Sequence, residues 1–414
     1  MKYQVVRNTK YDFAGQSYST KYPNLHKYPA TMLPQIGIEL LKEFNIHSGK
    51  LLDPYCGTGS SFIAGLDCRL SEMYGFDINP LAVLVSKAKF TKIDIQQAKE
   101  IKQTLRNDIY EFVKSETNIN TLVTPKIQNI DYWFSKQVIT NLTILRHFLY
   151  QIENQDIQRL FFVPFSETVR DCSYTRNNEF KLFRIKPEDV INFNPDVFGV
   201  FFQKLNKVID LYEYIYYPKL TDSKITIDYK KFEIQEEYFD VVLTSPPYGD
   251  SKTTVAYGQF SNFANEWLDI DYARKIDALL MGGKSTNTNY KNGIIADSIN
   301  EISKQCPKRA NEVSAFYADL EKSIKTVAKS VKIGGLIMYV VGNRTVKNTL
   351  LETDQFIAEK FEENGFKHIT TYERLLGNKS MPLRNSPTNE TGKTVTTMLT
   401  EYLVICEKQN HNMN

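Results

Sequence analysis

The sequence contains little of what a secreted, disulfide-stabilised or membrane protein needs. Its 414 residues include only five cysteines, scattered and without a C-x-x-C pair, so neither a disulfide framework nor a cysteine zinc site is expected. No His, Cys, Asp and Glu cluster has metal-ligand spacing, and no metal is expected. No apolar run approaches the roughly 18–20 residues of a membrane helix, and residues 1–15 lack a signal-peptide core. These absences predict a cytoplasmic protein in a reduced compartment.

Overall charge and composition do not single out a partner. The 51 Lys and Arg residues nearly balance the 48 Asp and Glu residues, for a net charge of +3. A nucleic-acid-binding surface would therefore have to be a local patch. The content of 42% hydrophobic and 24% charged residues is globular and excludes a long disordered chain. The length predicts about two or three domains.

Short apolar runs bounded by turn residues predict seven strands, and helical periodicity predicts helices between them. The strands are predicted at Lys50–Asp53, 73–77, Lys224–Asp228, 240–244, 336–341, 368–372 and 401–406. The helices are predicted at 34–44, 60–66, 80–88, 313–331 and 353–364, with Gly334 and Gly335 ending the fourth. This alternation predicts an α/β fold with an open, doubly wound, mostly parallel seven-stranded sheet.

Two stretches interrupt the strand–helix alternation. Residues 92–220 are too long for one crossover connection and are aromatic-rich, so they are predicted to form an inserted, helical or mixed domain. Residues 251–309 form a second insertion rich in Ser, Thr, Asn and Gly. The remaining segments, 1–91, 221–250 and 310–414, are predicted to build the sheet domain.

The first predicted strand runs into a glycine-containing loop that is typical of a nucleoside-binding site. Residues 53–61 read DPYCGTGSS, and Asp77 ends the next strand 20 residues after Gly57. The glycines permit a sharp turn, the following helix offers N–H groups to an anion, and an acidic group at this spacing suits ribose hydroxyls. The third glycine of the nicotinamide fingerprint is missing, which favours a ligand whose anion is a carboxylate, namely S-adenosylmethionine. The alternative is an ordinary tight turn of a doubly wound domain.

The strand at 240–244 ends in a second motif, TSPPYGD at 244–250. Pro246 and Pro247 stiffen the backbone and lack N–H donors, which leaves carbonyl acceptors beside the Ser245 hydroxyl. Such acceptors suit an exocyclic amine, and Tyr248 offers a face for a planar base. Accepting the two hydrogens of the amine at Ser245 and the Pro246 carbonyl would favour a pyramidal, nucleophilic nitrogen that attacks a sulfonium methyl group. The alternative is a stiff loop that packs against the sheet.

These motifs resemble those of the amino-methylating DNA methyltransferases, which modify cytosine N4 or adenine N6. The likeness lies in the cofactor loop, in the tetrapeptide SPPY at 245–248, in HKYPATMLP at 26–34 and in NKSMPLRNSPT at 378–388. The resemblance implies a Rossmann-like methyltransferase fold, S-adenosylmethionine as cofactor and a flipped base in double-stranded DNA. It also implies a restriction-modification system with a separately encoded endonuclease, and we expect a monomer.

The implied site residues fall into two sets. The catalytic set is Ser245, Pro246, Pro247 and Tyr248. The cofactor-binding set is His26, Tyr28, Pro29, Asp53, Pro54, Cys56, Gly57, Thr58, Gly59, Asp77, Ile78 and Asp228. For two members a structural role is an open alternative: His26 as a satisfied polar group and Asp228 as a cap or turn residue.

The first residue of the tetrapeptide bears on the target base. In the family, Ser or Thr there is most often found in cytosine-N4 enzymes, and Asp or Asn in adenine-N6 enzymes, so Ser245 favours cytosine N4. The motif order, with the cofactor loop first, departs from the order common among cytosine-N4 members, and adenine N6 stays the alternative. A cytosine-C5 enzyme needs a Cys after Pro in the catalytic loop, whereas Cys306 precedes Pro307 and Cys56 lies in the cofactor loop.

Two more distant alternatives are kept open. An RNA guanine-N2 methyltransferase shares both motifs but usually has Asp before the prolines and an appended RNA-binding domain. A binding module with a decayed active site is disfavoured because Asp53, Gly57, Gly59, Ser245 and Tyr248 are intact.

Cationic residues interleaved with aromatic ones predict where DNA is bound. Such residues concentrate at 166–186, follow the SPPY motif at 251–260 and recur in the loop at 378–388. The predicted DNA-binding residues are Arg170, Arg176, Lys181, Arg184, Lys252, Tyr257, Lys379 and Arg384. Solvated surface charge, or for 251–260 a packed connection, is the alternative.

Overall fold

Most of the chain is ordered into one sheet with helices on both of its faces. The computed structural model describes residues 2–15, 21–115, 121–176, 179–220, 222–229, 235–250, 254–270, 272–376, 384–385, 395–396 and 399–410. Within these ranges no helix combines the length and the apolarity needed to cross a membrane.

The described strands form one large sheet and two small antiparallel pairs. They are β1 (Val5–Arg7), β2 (Lys50–Asp53), β3 (Glu72–Phe76), β4 (Lys224–Asp228), β5 (Phe239–Thr244), β6 (Val331–Val341), β7 (Arg344–Val346), β8 (Thr349–Leu351), β9 (Phe366–Leu375), β10 (Arg384–Asn385), β11 (Val395–Thr396) and β12 (Thr400–Lys408). Across the large sheet the order is β1-β9-β12-β6-β5-β2-β3-β4. Its neighbouring strands are parallel except where β12 pairs with β6 and β9. The predicted doubly wound, mostly parallel fold is thereby confirmed.

The central strands are buried on both sides because successive side chains enter different cores. Leu51 and Leu243 belong to one hydrophobic core, whereas Leu52 and Val242 belong to the other. Since side chains of a strand alternate between the two faces of a sheet, each core covers one face. Continuous apolar runs of this kind are typical of parallel sheets covered by helices on both faces.

The helices are distributed between the same two cores. They are α1 (Pro34–Glu43), α2 (Ser60–Asp67), α3 (Pro80–Phe90), α4 (Ile95–Lys114), α5 (Ile130–Trp133), α6 (Lys136–Tyr150), α7 (Gln155–Asp171), α8 (Pro187–Ile191), α9 (Val197–Leu211), α10 (Tyr257–Trp267), α11 (Ile276–Leu279), α12 (Ala296–Gln305), α13 (Pro307–Ser330) and α14 (Thr353–Glu362). Helices α1 to α3 share the core of Leu51, and helices α12 to α14 share the core of Leu52.

The first insertion packs directly onto one face of the sheet domain. Helix α7 contacts α3, α9 and α10, and its Phe161 belongs to the same hydrophobic core as Leu51 of β2. The insertion therefore shares a core with the sheet domain. The domain boundaries at 92–220 and 251–309 stay predictions.

Two details of the fold differ from the sequence prediction. The large sheet has an eighth strand, β1, whose three residues are exposed, so no run of buried apolar residues could signal it. Helix α13 ends at Ser330, and Gly334 and Gly335 lie inside β6 rather than at the helix end. The pairing of β6 with β5 shifts register there, and Gly334 has φ of +76°. The glycine pair thus forms a strand irregularity, where positive φ is needed.

Candidate active site

The loop after β2 is folded by its glycines and by backbone hydrogen bonds. Gly57 and Gly59 have φ of +49° and +82°, a region that other residues rarely adopt. The amide of Cys56 donates to the Phe76 carbonyl over 2.9 Å, and the amide of Gly59 donates to the Cys56 carbonyl over 2.7 Å. Helix α2 starts directly afterwards without a side-chain cap, so its N-terminal amides face the loop and suit an anion.

Asp77 fastens this loop to the end of the neighbouring strand. Its Oδ2 accepts the amide of Gly57 over 3.0 Å, and its Oδ1 accepts the amide of Asn79 over 2.8 Å. Burial raises the pKa of Asp77 to about 6, and the backbone hydrogen bonds oppose that rise. The carboxylate therefore both holds the turn and lines the space next to it.

Asp53 joins the cofactor loop to the catalytic strand. Its carboxylate accepts hydrogen bonds from the hydroxyls of Ser61 and Thr244 and from the amide of Tyr55. Thr244 is the last residue of β5, so this buried carboxylate links the carboxyl ends of β2 and β5. Burial raises the pKa of Asp53 to about 6, against the effect of the two hydroxyls.

The two predicted motifs open into one cavity of about 360 Å³ at this edge of the sheet. The volume suits a small-molecule ligand, since such pockets span roughly 300–1,000 Å³. The predicted site residues that line it are Tyr28, Pro29, Asp53, Pro54, Cys56, Gly57, Thr58, Asp77, Ile78, Ser245, Pro247 and Tyr257. The glycine turn and the proline pair, separated by almost 190 residues in the chain, thus meet in a shared cavity.

Two side-chain hydrogen bonds hold Ser245 and Tyr248 of the catalytic loop. The Ser245 hydroxyl donates to the Tyr248 hydroxyl over 3.3 Å, and Tyr248 donates to Glu401 Oε1 over 3.1 Å. Burial, with the charge of Glu401, raises the pKa of Tyr248 well above its usual value. Tyr248 packs against the core of Leu52 and is outside the cavity lining, whereas Ser245 and Pro247 are part of it. The stacking of a base on Tyr248 stays a prediction.

An aromatic pair closes another side of the cavity. The rings of Tyr28 and Tyr257 are stacked with centroids 5.9 Å apart. The buried amide of Asn79 donates to the Tyr28 hydroxyl over 3.1 Å, to the Tyr257 carbonyl over 3.3 Å and to Ser261 Oγ over 3.0 Å. Tyr257 lines the cavity that the cofactor loop shares with Ser245 and Pro247. Its predicted contact with DNA stays a prediction.

Several predicted cofactor residues lie elsewhere. His26 is buried, its ring edge faces Phe260, and burial lowers its pKa. Asp228 is exposed at the end of β4 and pairs with Lys87 over 3.6 Å. His26 and Asp228 do not line the cavity, so they are not part of the space that would hold the cofactor. Gly59 and Pro246 do not line it either, although they belong to the two loops that form it.

The cavity also includes residues that the motifs did not reveal. Leu279, Leu280 and Met281 of the second insertion line it, and so do Asp319 and Ser323 of α13. Ser323 accepts a hydrogen bond from the Tyr55 hydroxyl, and Asp319 accepts the amide of Gly282 over 2.9 Å. Asp319 is exposed and Ser323 is partly exposed, so they lie outside the apolar face of α13 and no sequence pattern indicated them.

The predicted DNA-binding residues have different surroundings. Arg170 is buried, donates to the carbonyls of Phe260 and Glu179, and stacks 4.6 Å from the Phe260 ring. We therefore correct its assignment: it docks α7 on α10 and is unable to reach phosphates. Arg184 lies 4.4 Å from the half-exposed ring of Tyr132.

The segment around Arg184 folds into a short hairpin. Thr175 pairs with Arg184 in an antiparallel bridge, and Arg176 lies 6.0 Å from the exposed ring of Phe183. Lys181 belongs to the same hairpin. Of the other predicted DNA-binding residues, Lys252 and Lys379 lie outside the described residues, and only the backbone of Arg384 is described.

Comparison with known proteins assigns the family. No family model matches the chain. The type II methyltransferase M.MvaI of Kocuria varians is 39% identical over 407 residues, which span 92% of this chain and 89% of the relative. The chain belongs to the type II DNA methyltransferases. The type II methyltransferase M.MjaII of Methanocaldococcus jannaschii is 29% identical to this methyltransferase over 107 residues, covering 25% of the chain and 20% of M.MjaII.

Solved structures are more distant from this methyltransferase. A SAM-dependent methyltransferase of Methanosarcina mazei is 7% identical, covers 89% of this chain and 97% of its own, and has a TM-score of 0.32. The rRNA methyltransferase aviRa of Streptomyces viridochromogenes is 10% identical, covers 97% and 93%, and has a TM-score of 0.29. The fold assignment rests on the sheet topology described above. Family membership confirms the predicted family and its dependence on S-adenosylmethionine.

Proposed function

We propose that this methyltransferase transfers the methyl group of S-adenosylmethionine to the N4 amine of cytosine in double-stranded DNA. The shared cavity supports the proposal more than any other observation, because it brings Gly57 of the cofactor loop to the same space as Ser245 and Pro247. Methyl transfer needs the donor and the acceptor in one water-excluding site, in line and in contact. Two separate pockets would not serve this reaction.

The residues present fit the cofactor on chemical grounds. The uncapped start of α2 suits the carboxylate of its methionine part. The Asp77 carboxylate lies in the cavity, where it can accept hydrogen bonds from ribose hydroxyls. Tyr28 and Tyr257 provide apolar walls. The bound cofactor supplies an electrophilic methyl group, and the chain supplies position and acceptors.

Ser245 is the proposed catalytic residue for the acceptor amine. Its hydroxyl donates its proton towards Tyr248, which leaves oxygen lone pairs for a hydrogen of the amine. The Pro246 carbonyl accepts the second hydrogen. These two acceptors favour the pyramidal nitrogen, whose lone pair would form the N–C bond to the methyl group of a bound cofactor, with the electron pair of the broken S–C bond left on sulfur. The methylated nitrogen would then lose one proton to solvent.

The choice of cytosine N4 rests on Ser245, since the resemblance associates Ser at this position with cytosine-N4 enzymes. Adenine N6 is the alternative. The target base has to leave the helix to reach the cavity.

The hairpin that carries Arg176, Lys181 and Arg184 is the proposed contact with the phosphate backbone. It is attached to α10 because the amide of Leu182 donates to Gln259 Oε1 over 3.3 Å. Gln259 is two residues from Tyr257 of the cavity, so the hairpin is anchored to the helix that carries part of the site. Contact with DNA would make binding salt-dependent.

Methylation of plasmid DNA by the purified enzyme, followed by nuclease digestion and mass spectrometry, tests the proposal. We expect N4-methylcytosine, formed about 100-fold more slowly when Ser245 is replaced by Ala. N6-methyladenine as the sole product would overturn the choice of base. Label transferred only to RNA would overturn the choice of substrate. A cognate endonuclease, a monomeric state and a cytoplasmic location stay predictions.

A further inference from the structure

Asp250 lies directly after the catalytic loop and is almost completely buried. Its side chain is 1% exposed, and its Oδ2 accepts hydrogen bonds from Arg309 over 2.9 Å and from Arg344 over 3.1 Å. Arg309 also pairs with Glu312 over 2.6 Å. Two carboxylates and two guanidinium groups thus form a charge-balanced cluster, named here the Asp250 cluster.

The cluster connects the catalytic loop to two other elements. Arg309 belongs to the first turn of α13, and Arg344 begins β7, just beyond the end of β6. Strand β6 is the neighbour of β5, which carries the catalytic loop at its end. The cluster therefore joins the far end of that loop to the adjacent strand and to the helix beneath it.

Arg344 is packed against the catalytic loop itself. A Cβ atom on Gly249 would lie 2.1 Å from a terminal nitrogen of the Arg344 guanidinium, so only glycine admits this approach. The other side of the guanidinium faces Phe316, whose ring centroid is 5.5 Å away. Arg344 is thereby held between the loop and α13.

The catalytic loop needs such an anchor because of its own sequence. Pro246 and Pro247 have no N–H groups, so they are unable to hold the loop by amide hydrogen bonds. The described side-chain hydrogen bonds join Ser245 to Tyr248 and Tyr248 to Glu401 near its start. At its end, Thr254 Oγ1 donates to the carbonyls of Gly249 and Asp250 over 3.2 and 2.7 Å. Burial would raise the pKa of Asp250, but the charge of Arg344 and the hydrogen bond from Arg309 hold it below its usual value. Asp250 is consequently charged whenever the enzyme works near neutral pH.

We propose that Asp250, held by Arg344 and Arg309, is a positioning residue that sets where Ser245 and the Pro246 carbonyl meet the target amine. This inference rests on the proposed function of Ser245. The cluster acts on the methyl-transfer step, and cofactor binding is independent of it because Asp250, Arg309 and Arg344 are outside the cavity lining.

The test compares Asp250→Asn, Arg344→Gln and the double variant in the full-length enzyme. Single-turnover methyl transfer to DNA measures the chemical step, and calorimetric titration with S-adenosylhomocysteine measures cofactor affinity. Each single variant is expected to lose about 100-fold in rate, the effect of misplacing reacting groups by about 1 Å. Cofactor affinity is expected to stay within about threefold. The double variant is expected to be no slower than the worse single variant, because both substitutions break one unit.

Two further variants separate positioning from stability. Lys360→Met removes the ion pair between buried Lys360 of α14 and half-exposed Glu363, which directly follows that helix, and should lower the melting temperature without changing the rate. Gly249→Ala displaces Arg344 without removing a charge and should slow methyl transfer about tenfold, which keeps the test decisive if Asp250→Asn does not fold.

Some outcomes would overturn the proposal. The rate losses of the two single variants could multiply in the double variant, or the affinity for the cofactor could fall in parallel with the rate. A Gly249→Ala enzyme with the wild-type rate would also contradict it. If the wild-type product is N6-methyladenine, the proposed base is wrong. The same rate comparison on adenine would still test the cluster.

Discussion

The cofactor loop and the catalytic loop lie at the same edge of the sheet but are held in place by different means. Backbone geometry holds the cofactor loop: Gly57 and Gly59 have positive φ, and the amides of Cys56 and Gly59 are bonded within it or to β3. The catalytic loop has two prolines instead and depends on side chains at its ends, among them Asp250.

The comparison shows how local chemistry decides what supports a loop. A loop that binds a carboxylate through its backbone N–H groups keeps its amides, and some of these amides can form the hydrogen bonds that hold its own turn. A loop that presents carbonyl acceptors to an amine gives up amides, so its support has to come from charged side chains elsewhere in the chain. Substitutions in the two loops should therefore have different effects. Those in the cofactor loop should lower the affinity for the cofactor, and those in the catalytic loop should lower the rate of methyl transfer.

The largest effect is expected for Gly59→Ala. A Cβ atom there would lie 2.3 Å from the Phe90 ring and 2.8 Å from Ser86 Oγ, and the φ of +82° adds strain. Overpacking alone costs about 1–3 kcal/mol, so both thermal stability and cofactor affinity should fall. Gly57→Ala is the matched control, because nothing lies within 4 Å of its Cβ and only the backbone strain of about 1–2 kcal/mol remains. Equal losses in calorimetric titrations of the two variants would contradict this account of the loop.

Next in size is Ser245→Ala, in the catalytic loop. Loss of the acceptor hydroxyl should lower the single-turnover rate about 100-fold and leave cofactor affinity unchanged. Tyr248→Phe removes the hydroxyl that accepts from Ser245 and donates to Glu401. Loss of the Ser245 bond, worth about 1 kcal/mol, should slow the reaction about fivefold. A Ser245→Ala enzyme that loses cofactor affinity as strongly as rate would show that the two loops are not separable.

A pH effect should arise in the cofactor loop through Asp77. Burial raises its pKa to about 6, so it is a carboxylate above that pH and protonated below it. Because the carboxylate accepts from Gly57 and is proposed to accept from ribose, affinity should be constant above pH 7 and fall up to about tenfold per unit below pH 6. Asp53 also has a pKa of about 6. The Asp77→Asn variant lacks the titrating group at position 77, so any pH dependence of cofactor affinity that it retains is due to Asp53. An Asp77→Asn profile identical to the wild-type profile would contradict the assignment.

The smallest effect is expected at Lys89, a buried lysine beneath the cofactor loop. Its Nζ donates to the Thr58 carbonyl over 2.7 Å and lies 5.2 Å from the Tyr216 ring centroid, and burial lowers its pKa to about 7. Lys89→Met keeps the volume but loses the hydrogen bond, so cofactor affinity should fall about fivefold, equivalent to about 1 kcal/mol. The single-turnover rate at saturating cofactor should not change. A changed single-turnover rate with unchanged cofactor affinity would show that Lys89 acts on the catalytic loop and would contradict this prediction.

Local patterns were sufficient for the elements and the motifs. The seven predicted strands follow apolar runs whose ends are marked by turn residues, and Lys50–Asp53 and Lys224–Asp228 match the structure at both ends. The spacing of Gly57 and Asp77 predicted an acidic group beside the glycine turn, and Asp77 lines the same cavity as Gly57; its contact with ribose hydroxyls stays a prediction, and its 3.0 Å hydrogen bond with the Gly57 amide was not foreseen. Such features depend on neighbours close in the chain, which periodicity and spacing can represent.

The surroundings of two predicted DNA-binding residues depend on neighbours distant in the chain. Arg170 looked like a surface cation because its own segment is basic, and only the packing of α7 on α10 buries it. Tyr257 stays a predicted DNA contact, and its stacking on Tyr28 at one wall of the shared cavity is a feature that the sequence did not reveal.

The sequence by itself determined seven of the eight strands of the sheet and the two loops, because their residues are spaced with the period or the turn that they encode, and the likeness of its motifs indicated the family. Tertiary structure alone decided that the loops share a cavity, that residues 279–281 and Asp319 complete its wall, and that Asp250 meets Arg309 and Arg344. These contacts join segments tens to hundreds of residues apart, and burial of both faces of the sheet is what brings them together.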